Sequence, residues 1–222
     1  MTHSRNLRGK ALIEYKASLK LNDFQRQVLV GTLLGDASMA FTLGKPKYNV
    51  KFEQQISKQP YIEHLYEIFE PFVGTSPKIR NIKGGGAQDR QSTWFRTYGH
   101  PAFKFYDDSF YGMVDGQRRK CVPKTIQRLF TPISLAYWFM DDGTYSKRGK
   151  RRYYRFSTQG FCYTDQKRLV ESLRIKFGIQ SAVHKDRHQY HIGILSESNG
   201  ALLECIQTYV QPCFIYKLNI EM

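Results

Sequence analysis

Ser134-Leu135-Ala136-Tyr137-Trp138-Phe139-Met140-Asp141-Asp142-Gly143 is a nearly unbroken apolar run that ends in two carboxylates and a glycine. Leu135, Trp138 and Phe139, with Ala136 and Met140, recur at helical spacing. The stretch therefore reads as a buried helix that stops at Gly143, glycine being the usual residue just past a helix end. Aspartates are electrostatically misplaced there. The helix macrodipole is negative at that end, and an added negative charge costs roughly 0.3–1 kcal/mol. A bound divalent cation is the natural compensation. The pattern recurs upstream, where Leu29-Val30-Gly31-Thr32-Leu33-Leu34-Gly35-Asp36-Ala37 is another apolar helix ending on an aspartate.

The composition fits a folded protein that meets a polyanion. The chain has 222 residues, a net charge of +15, 41% hydrophobic residues and 14% aromatic residues. That apolar content supports a packed core rather than a disordered basic tail, and nucleic acid is the simplest partner for the charge. Charge alone leaves a ribosome-associated or generically basic protein open. Cys121, Cys162, Cys205 and Cys213 are scattered without a C-x-x-C pair, which argues against a zinc ribbon and fits a reducing, intracellular compartment. No apolar stretch approaches the roughly 20 residues of a membrane span, so no membrane partner is expected.

Both halves of the chain carry the same order of elements. Residues 1–20 read as a basic arm that lies on DNA, and a solvated extension fits them equally well. Asn22 or Asp23 caps the helix that leads to Asp36. Ser38 to Thr42 and Tyr48 to Ile56 read as strands, followed by an amphipathic helix opened by Pro60. Pro77 to Lys83 and Ser92 to Tyr98 form a second strand pair, and His100 to Met113 is partly helical. After the basic stretch 113–124 comes the helix that ends at Asp142. Next come a basic hairpin, a helix over Asp165 to Phe177, strands over Ala182 to Lys185 and Gln189 to Leu195, and a helix from Ser198. Lys51, Phe52 and Gln55 recur as Arg155, Phe156 and Gln159 at matching offsets. The chain is thus an α+β protein made of duplicated αββαββα repeats, at 21–112 and 125–222, joined by a linker at 113–124.

The two apolar stretches resemble the paired signature motifs of the LAGLIDADG homing endonucleases, of the kind with both copies on one chain. Leu135-Ala136 stands for the opening Leu-Ala, Asp142-Gly143 for the closing Asp-Gly, Gly31 for the motif glycine and Asp36 for its final aspartate. Ala37, Gly35, Tyr137 and Met140 depart from the pattern. The resemblance spans about Leu21 to Leu218 and implies a pseudo-two-fold molecule, with the motif helices packed centrally and antiparallel sheets forming a DNA-binding saddle. It also implies Mg²⁺, or Mn²⁺ or Ca²⁺ at the same sites, held by Asp36 and Asp142. The activity implied is cleavage of one phosphodiester per strand to leave short 3′ overhangs. Asp141 is the ambiguous neighbour, and motif position favours Asp142 as ligand.

The resemblance further implies a basic residue supporting each site. Lys120 and Lys217 stand at corresponding places, with Arg118 and Arg119 competing for the role of Lys120. Gln55 and Gln159 complete the catalytic set as groups positioning water or neighbouring the metal. Strands carry sequence recognition, because a two-stranded ribbon fits the major groove. Their candidate DNA-binding residues are Lys47, Asn49, Lys51, Glu53, Trp94 and Arg96 in the first half. Those of the second half are Arg151, Tyr153, Arg155, Ser157, Lys185, Arg187 and His191. A metal site at His184, His188 and His191 is not expected, since spacing four apart does not juxtapose side chains on a strand. The implied partner is double-stranded DNA with a long, weakly palindromic target, bound by a monomer. The implied gene context is an intron, organellar rather than prokaryotic. Two other functions share these features: an RNA-binding maturase acting on its host intron, and a catalytically silent DNA-binding regulator.

Overall fold

The computed structural model describes residues 7–42, 45–83, 90–149, 151–187 and 189–219. The chain sorts into two compact units, Met1–Gln25 with Asp36–Asp107 and Arg26–Gly35 with Asp108–Met222. Helix α2 (Asp23–Leu34) therefore contributes most of its length to the second unit. The repeat boundaries expected from the sequence follow element order, whereas compactness divides the chain within a helix.

In the first unit, β1 (Ser38–Thr42), β2 (Lys45–Gln55), β3 (Lys78–Ile82) and β4 (Arg90–Arg96) form an antiparallel sheet in the order β1-β2-β4-β3. Helix α3 (Gln59–Phe69) covers one face with Ile62, Leu65 and Phe69. Phe52 anchors the core, with ring centroids 5.1 Å from Phe69 and 4.9 Å from Phe95. The β1–β2 register shifts between Met39 and Phe41, and Tyr48 adopts a left-handed φ of 47°. Strict alternation therefore holds only beyond Tyr48. Helix α1 (Gly9–Ser18) buries none of its residues. It is tied to this unit by Tyr15 Oη donating to Pro71 O (3.1 Å), by His100 Nε2 bonding Lys16 O (2.8 Å) and by Lys16 over the Tyr98 ring. Helix α4 (Lys104–Phe110) carries the chain across to the other unit.

The second unit repeats the sheet. The strands β7 (Gly143–Arg148), β8 (Arg151–Phe156), β9 (Ser181–Asp186) and β10 (Gln189–Ile194) run in the order β7-β8-β10-β9, with β5 (Tyr111–Val114) and β6 (Gln117–Lys120) as a separate hairpin. That hairpin occupies most of the stretch expected as a linker. After the short α5 (Ile126–Leu129), α6 (Pro132–Asp142) starts with a capping box between Thr131 and Ser134 and a proline in its first turn. Every residue from Ser134 to Met140 is buried, and Trp138 stacks on Phe156 with centroids 3.9 Å apart. Helix α7 (Tyr163–Phe177) ends at Gly178 in the left-handed region, and α8 (Asn199–Ile206) packs on α6. A 3₁₀ segment, Pro212–Lys217, follows. The expected α+β duplication is therefore present, with one sheet topology built twice. Among the described residues no helix is long and apolar enough to cross a membrane.

Candidate active site and nucleic-acid interface

The end of α2 lies against α6 within the second unit, with two glycines at close contacts. A Cβ on Gly31 would run into the Ser134 carbonyl and lie 2.7 Å from Tyr137 Cβ. A Cβ on Gly35 would meet the Cβ and carboxylate of Asp141. The residues met on α6 are thus Ser134, Tyr137 and Asp141; Ala136, which the sequence offers as the small residue for close approach, lies on a different side of the helix. Counted back from Asp36 and Asp142, Gly31 matches Tyr137 and Gly35 matches Asp141. Equivalent positions touching each other is the signature of two-fold packing.

Sheet register settles which aspartate corresponds to Asp36. Gly143 pairs with Phe156, while Ser38 pairs with Lys51, which places Ala37 opposite Phe52. Ala37 and Gly143 are therefore equivalent, and so are the residues just before them, Asp36 and Asp142. Asp141 occupies the helix contact instead. Burial raises the phenol pKa of neighbouring Tyr137, and the Asp141 charge adds to the rise. Gly143 has φ −70°, not the left-handed value expected of a helix-terminating glycine. It is glycine because a Cβ would collide with the ring and carbonyl of Phe139.

Each candidate lysine caps one motif helix. Lys120 Nζ donates to Gly35 O (2.7 Å), the carbonyl of the peptide leading into Asp36. Lys217 Nζ donates to Met140 O (2.6 Å). A helix leaves its last carbonyls unsatisfied, and a cation there offsets both the dipole and the added carboxylates. Leu34, Gly35, Lys120, Asp142, Ser157, Gly160 and Phe161 line a recess of about 210 Å³. Its far wall is held from behind. Ser157 N–H donates to Asp142 O (2.9 Å), and the buried Gln166 amide donates to Thr158 O (3.0 Å) and Phe161 O (3.1 Å). In the first unit, Asp36 Oδ2 accepts from Gln54 Nε2 at 2.7 Å.

Gln54 was not singled out by sequence, which pointed to Gln55. Strand parity explains the difference. Gln54 shares the helix-covered face with Val50 and Phe52, whereas exposed Gln55 falls on the opposite face with Glu53. Gln159 lies half-buried in the loop after β8. Carboxylates with backbone carbonyls and room for water are the oxygen donors that Mg²⁺ prefers. Among the described residues no cluster of three or more His, Cys, Asp or Glu forms a self-sufficient metal cage.

A family model described as the LAGLIDADG DNA endonuclease family matches residues 26–202. The chain belongs to that family. It is 28% identical over 215 residues to "Probable intron-encoded endonuclease 1" of Wickerhamomyces canadensis, covering 95% of this chain and 90% of the relative. It is 29% identical over 201 residues to "Cytochrome b mRNA maturase bI2" of Debaryomyces hansenii, covering 88% and 74%. The structure resembles that of the homing endonuclease I-WcaI bound to its DNA recognition sequence. The TM-score is 0.85 at 25% identity, covering 98% of this chain and 96% of that one.

Both sheets of this LAGLIDADG protein have one polar face. In the first, Lys51, Glu53, Trp94 and Arg96 share it with Ser92 and Arg80. Glu53 is already engaged by Lys51, by Ser92 Oγ (2.6 Å) and by Arg80 Nη2 (2.9 Å). Partial burial pushes its carboxyl pKa up, but these hydrogen bonds and charges outweigh that and hold it below the usual value. Lys47 is exposed and Asn49 half-buried, on either side of the Tyr48 distortion.

In the second sheet, exposed Tyr153 and Arg155 share a face with His191, and Arg155 Nε donates to Thr144 Oγ1 (3.1 Å). Arg151 lies on β8, its side chain outside the described residues. Ser157 lines the recess instead of the sheet face. Lys185 pairs with Tyr190 and falls on the opposite face from His191, while Arg187 sits in the turn with φ 55°. His184 and His191 do come together, as a directly opposed pair with stacked rings 5.5 Å apart. Spacing along one strand missed this pair, whereas symmetry about the turn would have found it. His188 lies outside the described residues. Burial, then the Arg155 and His184 charges, lower the His191 pKa.

Proposed function

We propose that this chain is a site-specific, double-strand DNA endonuclease. Asp36 and Asp142 each supply a carboxylate to divalent metal, Mg²⁺ in the cell, with Mn²⁺ or Ca²⁺ able to take the same positions. Such an ion polarises phosphate oxygens and lowers the pKa of a bound water. The protein's part is to hold one carboxylate at the end of each motif helix and to keep Lys120 and Lys217 beside them. There the lysines stabilise negative charge growing on the phosphate. Gln54, through Asp36, orients the first site, and Gln55 and Gln159 act at the edges of the substrate path. One phosphodiester is cut per strand, leaving short 3′ overhangs. The sheet-face residues named above read a long, weakly palindromic target, and the protein acts as a monomer. Intron encoding in an organellar genome fits the names of its relatives.

The observation that carries this reading is the pair of motif-helix ends, each with an aspartate and each with a lysine bonded to a backbone carbonyl one or two residues before it. Selection of cleaved sites from a randomised DNA pool with Mg²⁺ tests it. A unique long site should emerge, and no cleavage at any sequence would overturn it. A second reading, an RNA-binding maturase, is favoured by the likeness to the Debaryomyces protein named a cytochrome b mRNA maturase. Splicing of the host intron by a chain with both aspartates replaced by asparagine would establish it.

A further inference from the structure

Lys120 ends a short hairpin strand and Lys217 ends a 3₁₀ turn, yet each ammonium reaches a backbone carbonyl near the end of a motif helix. Short segments hold such an aim only if their backbones are fixed, and buried or half-buried polar side chains fix both. Two residues beyond Lys120, both peptide groups of Val122 are taken by side chains of α7. Val122 N–H donates to Asp165 Oδ2 (3.0 Å), and Val122 C=O accepts from Arg168 Nη1 (2.7 Å). The same Arg168 nitrogen donates to Asp165 Oδ1 at 2.6 Å. An Asp–Arg pair one helical turn apart thus supplies the acceptor and donor that a neighbouring strand would. Between these residues, Cys121 N–H donates to Phe110 O (2.8 Å), so consecutive residues are held.

The second attachment uses a different group for the same task. Tyr154, buried on β8, donates its hydroxyl to the carbonyl of Leu218 (2.7 Å), the residue after Lys217. Burial also raises its phenol pKa, which keeps the group a donor. None of Asp165, Arg168 and Tyr154 lines the recess that holds Asp142. Their hydrogen bonds instead reach the backbone next to Lys120 and Lys217.

We propose that the Asp165–Arg168 pair and Tyr154 are positioning residues, one attachment per lysine, and that they set the rates of the two strand cleavages separately. This rests on Lys120 and Lys217 acting as active-site groups, as put forward above. A displacement of about 1 Å at a reacting centre can cost on the order of 100-fold in rate. Loosening one attachment should therefore slow one strand while the other is cut normally.

The test uses the full chain, Mg²⁺ and a supercoiled plasmid carrying the selected site, with each strand labelled under single-turnover conditions. Tyr154→Phe keeps the ring and removes the hydroxyl. It should slow one strand about 10-fold or more, with nicked circles accumulating and DNA affinity within about twofold of wild type. Asp165→Asn should slow the opposite strand, and Arg168→Lys, which retains a donor, should do so less. Should Asp165→Asn not fold, Arg168→Lys and Tyr154→Phe carry the comparison. Equal slowing of both strands, as expected from general destabilisation, or no slowing, overturns the proposal. Lys120→Met and Lys217→Met separate it from its premise. If these lysine variants nick and the attachment variants cut both strands normally, only the positioning role fails. If they cut both strands at the wild-type rate, the lysine assignment fails and this proposal with it.

Discussion

The two motif helices meet through equivalent positions that carry very different residues. In the first copy these are Gly31 on α2 and Gly35 just past its end; on α6 they are Tyr137 and Asp141. Close approach of two helices requires that each contact pair have room, and one small member is enough. The first copy supplies all of the smallness, leaving the second free to carry a phenol and a carboxylate in the same seam. The sites attached to the helices differ likewise. Asp36 accepts from Gln54, whereas Thr158, the matching residue after β8, is buried and bonded to Gln166.

The largest effect should come from the two residues the copies share. Asp36→Asn or Asp142→Asn should each abolish double-strand cleavage while leaving gel-shift affinity largely intact. If either variant still makes blunt or staggered breaks at the wild-type rate, equivalence of the two acids is lost. Stability should respond next, and unequally. Trp138→Ala removes the ring stacked on Phe156 and should cost about 3–5 kcal/mol in denaturant unfolding. Gly31→Ala adds only a methyl group, but against a backbone carbonyl that cannot swing aside, and should cost about 1–3 kcal/mol. The opposite exchange at its partner, Tyr137→Phe, should cost less than Gly31→Ala, because the ring is retained.

Smaller effects sharpen the difference between the sites. Gln54→Ala should slow cleavage of one strand by about 10–100-fold, as loss of a partner orienting a metal-ligand carboxylate does. Gln55→Ala should leave the rate alone and relax base preference near the cut. The least effect belongs to Glu53. Its folded pKa lies below the unfolded value, so its contribution to stability is present above the unfolded pKa and is lost as pH falls through the folded one. For a partly exposed ion pair this amounts to less than about 1 kcal/mol. Glu53→Gln should therefore flatten the acid limb of the stability profile slightly, an effect measurable by urea titrations across the carboxylate range.

Periodicity made the scaffold legible. Apolar spacing located α6 and α3, and element order revealed the duplication, because both follow from which side chains are buried along one segment. What stayed hidden depends on contacts between segments. Gln54 and Gln55 differ only in which face of β2 they occupy, and the Tyr48 bulge makes counting from the strand start unreliable. His184 and His191 are brought together by hairpin register, which spacing along one strand cannot express. Gly143 marked the helix end correctly, but its reason is the nearness of Phe139 rather than backbone handedness.

The lopsided seam also limits how such a gene could be taken apart. A protein assembled from two copies of the second half would press Tyr137 against Tyr137 and set Asp141 carboxylates face to face. Two copies of the first would leave glycines opposite glycines, with a void where a side chain now sits. Neither copy of the seam can replace the other, so the two copies must stay unequal.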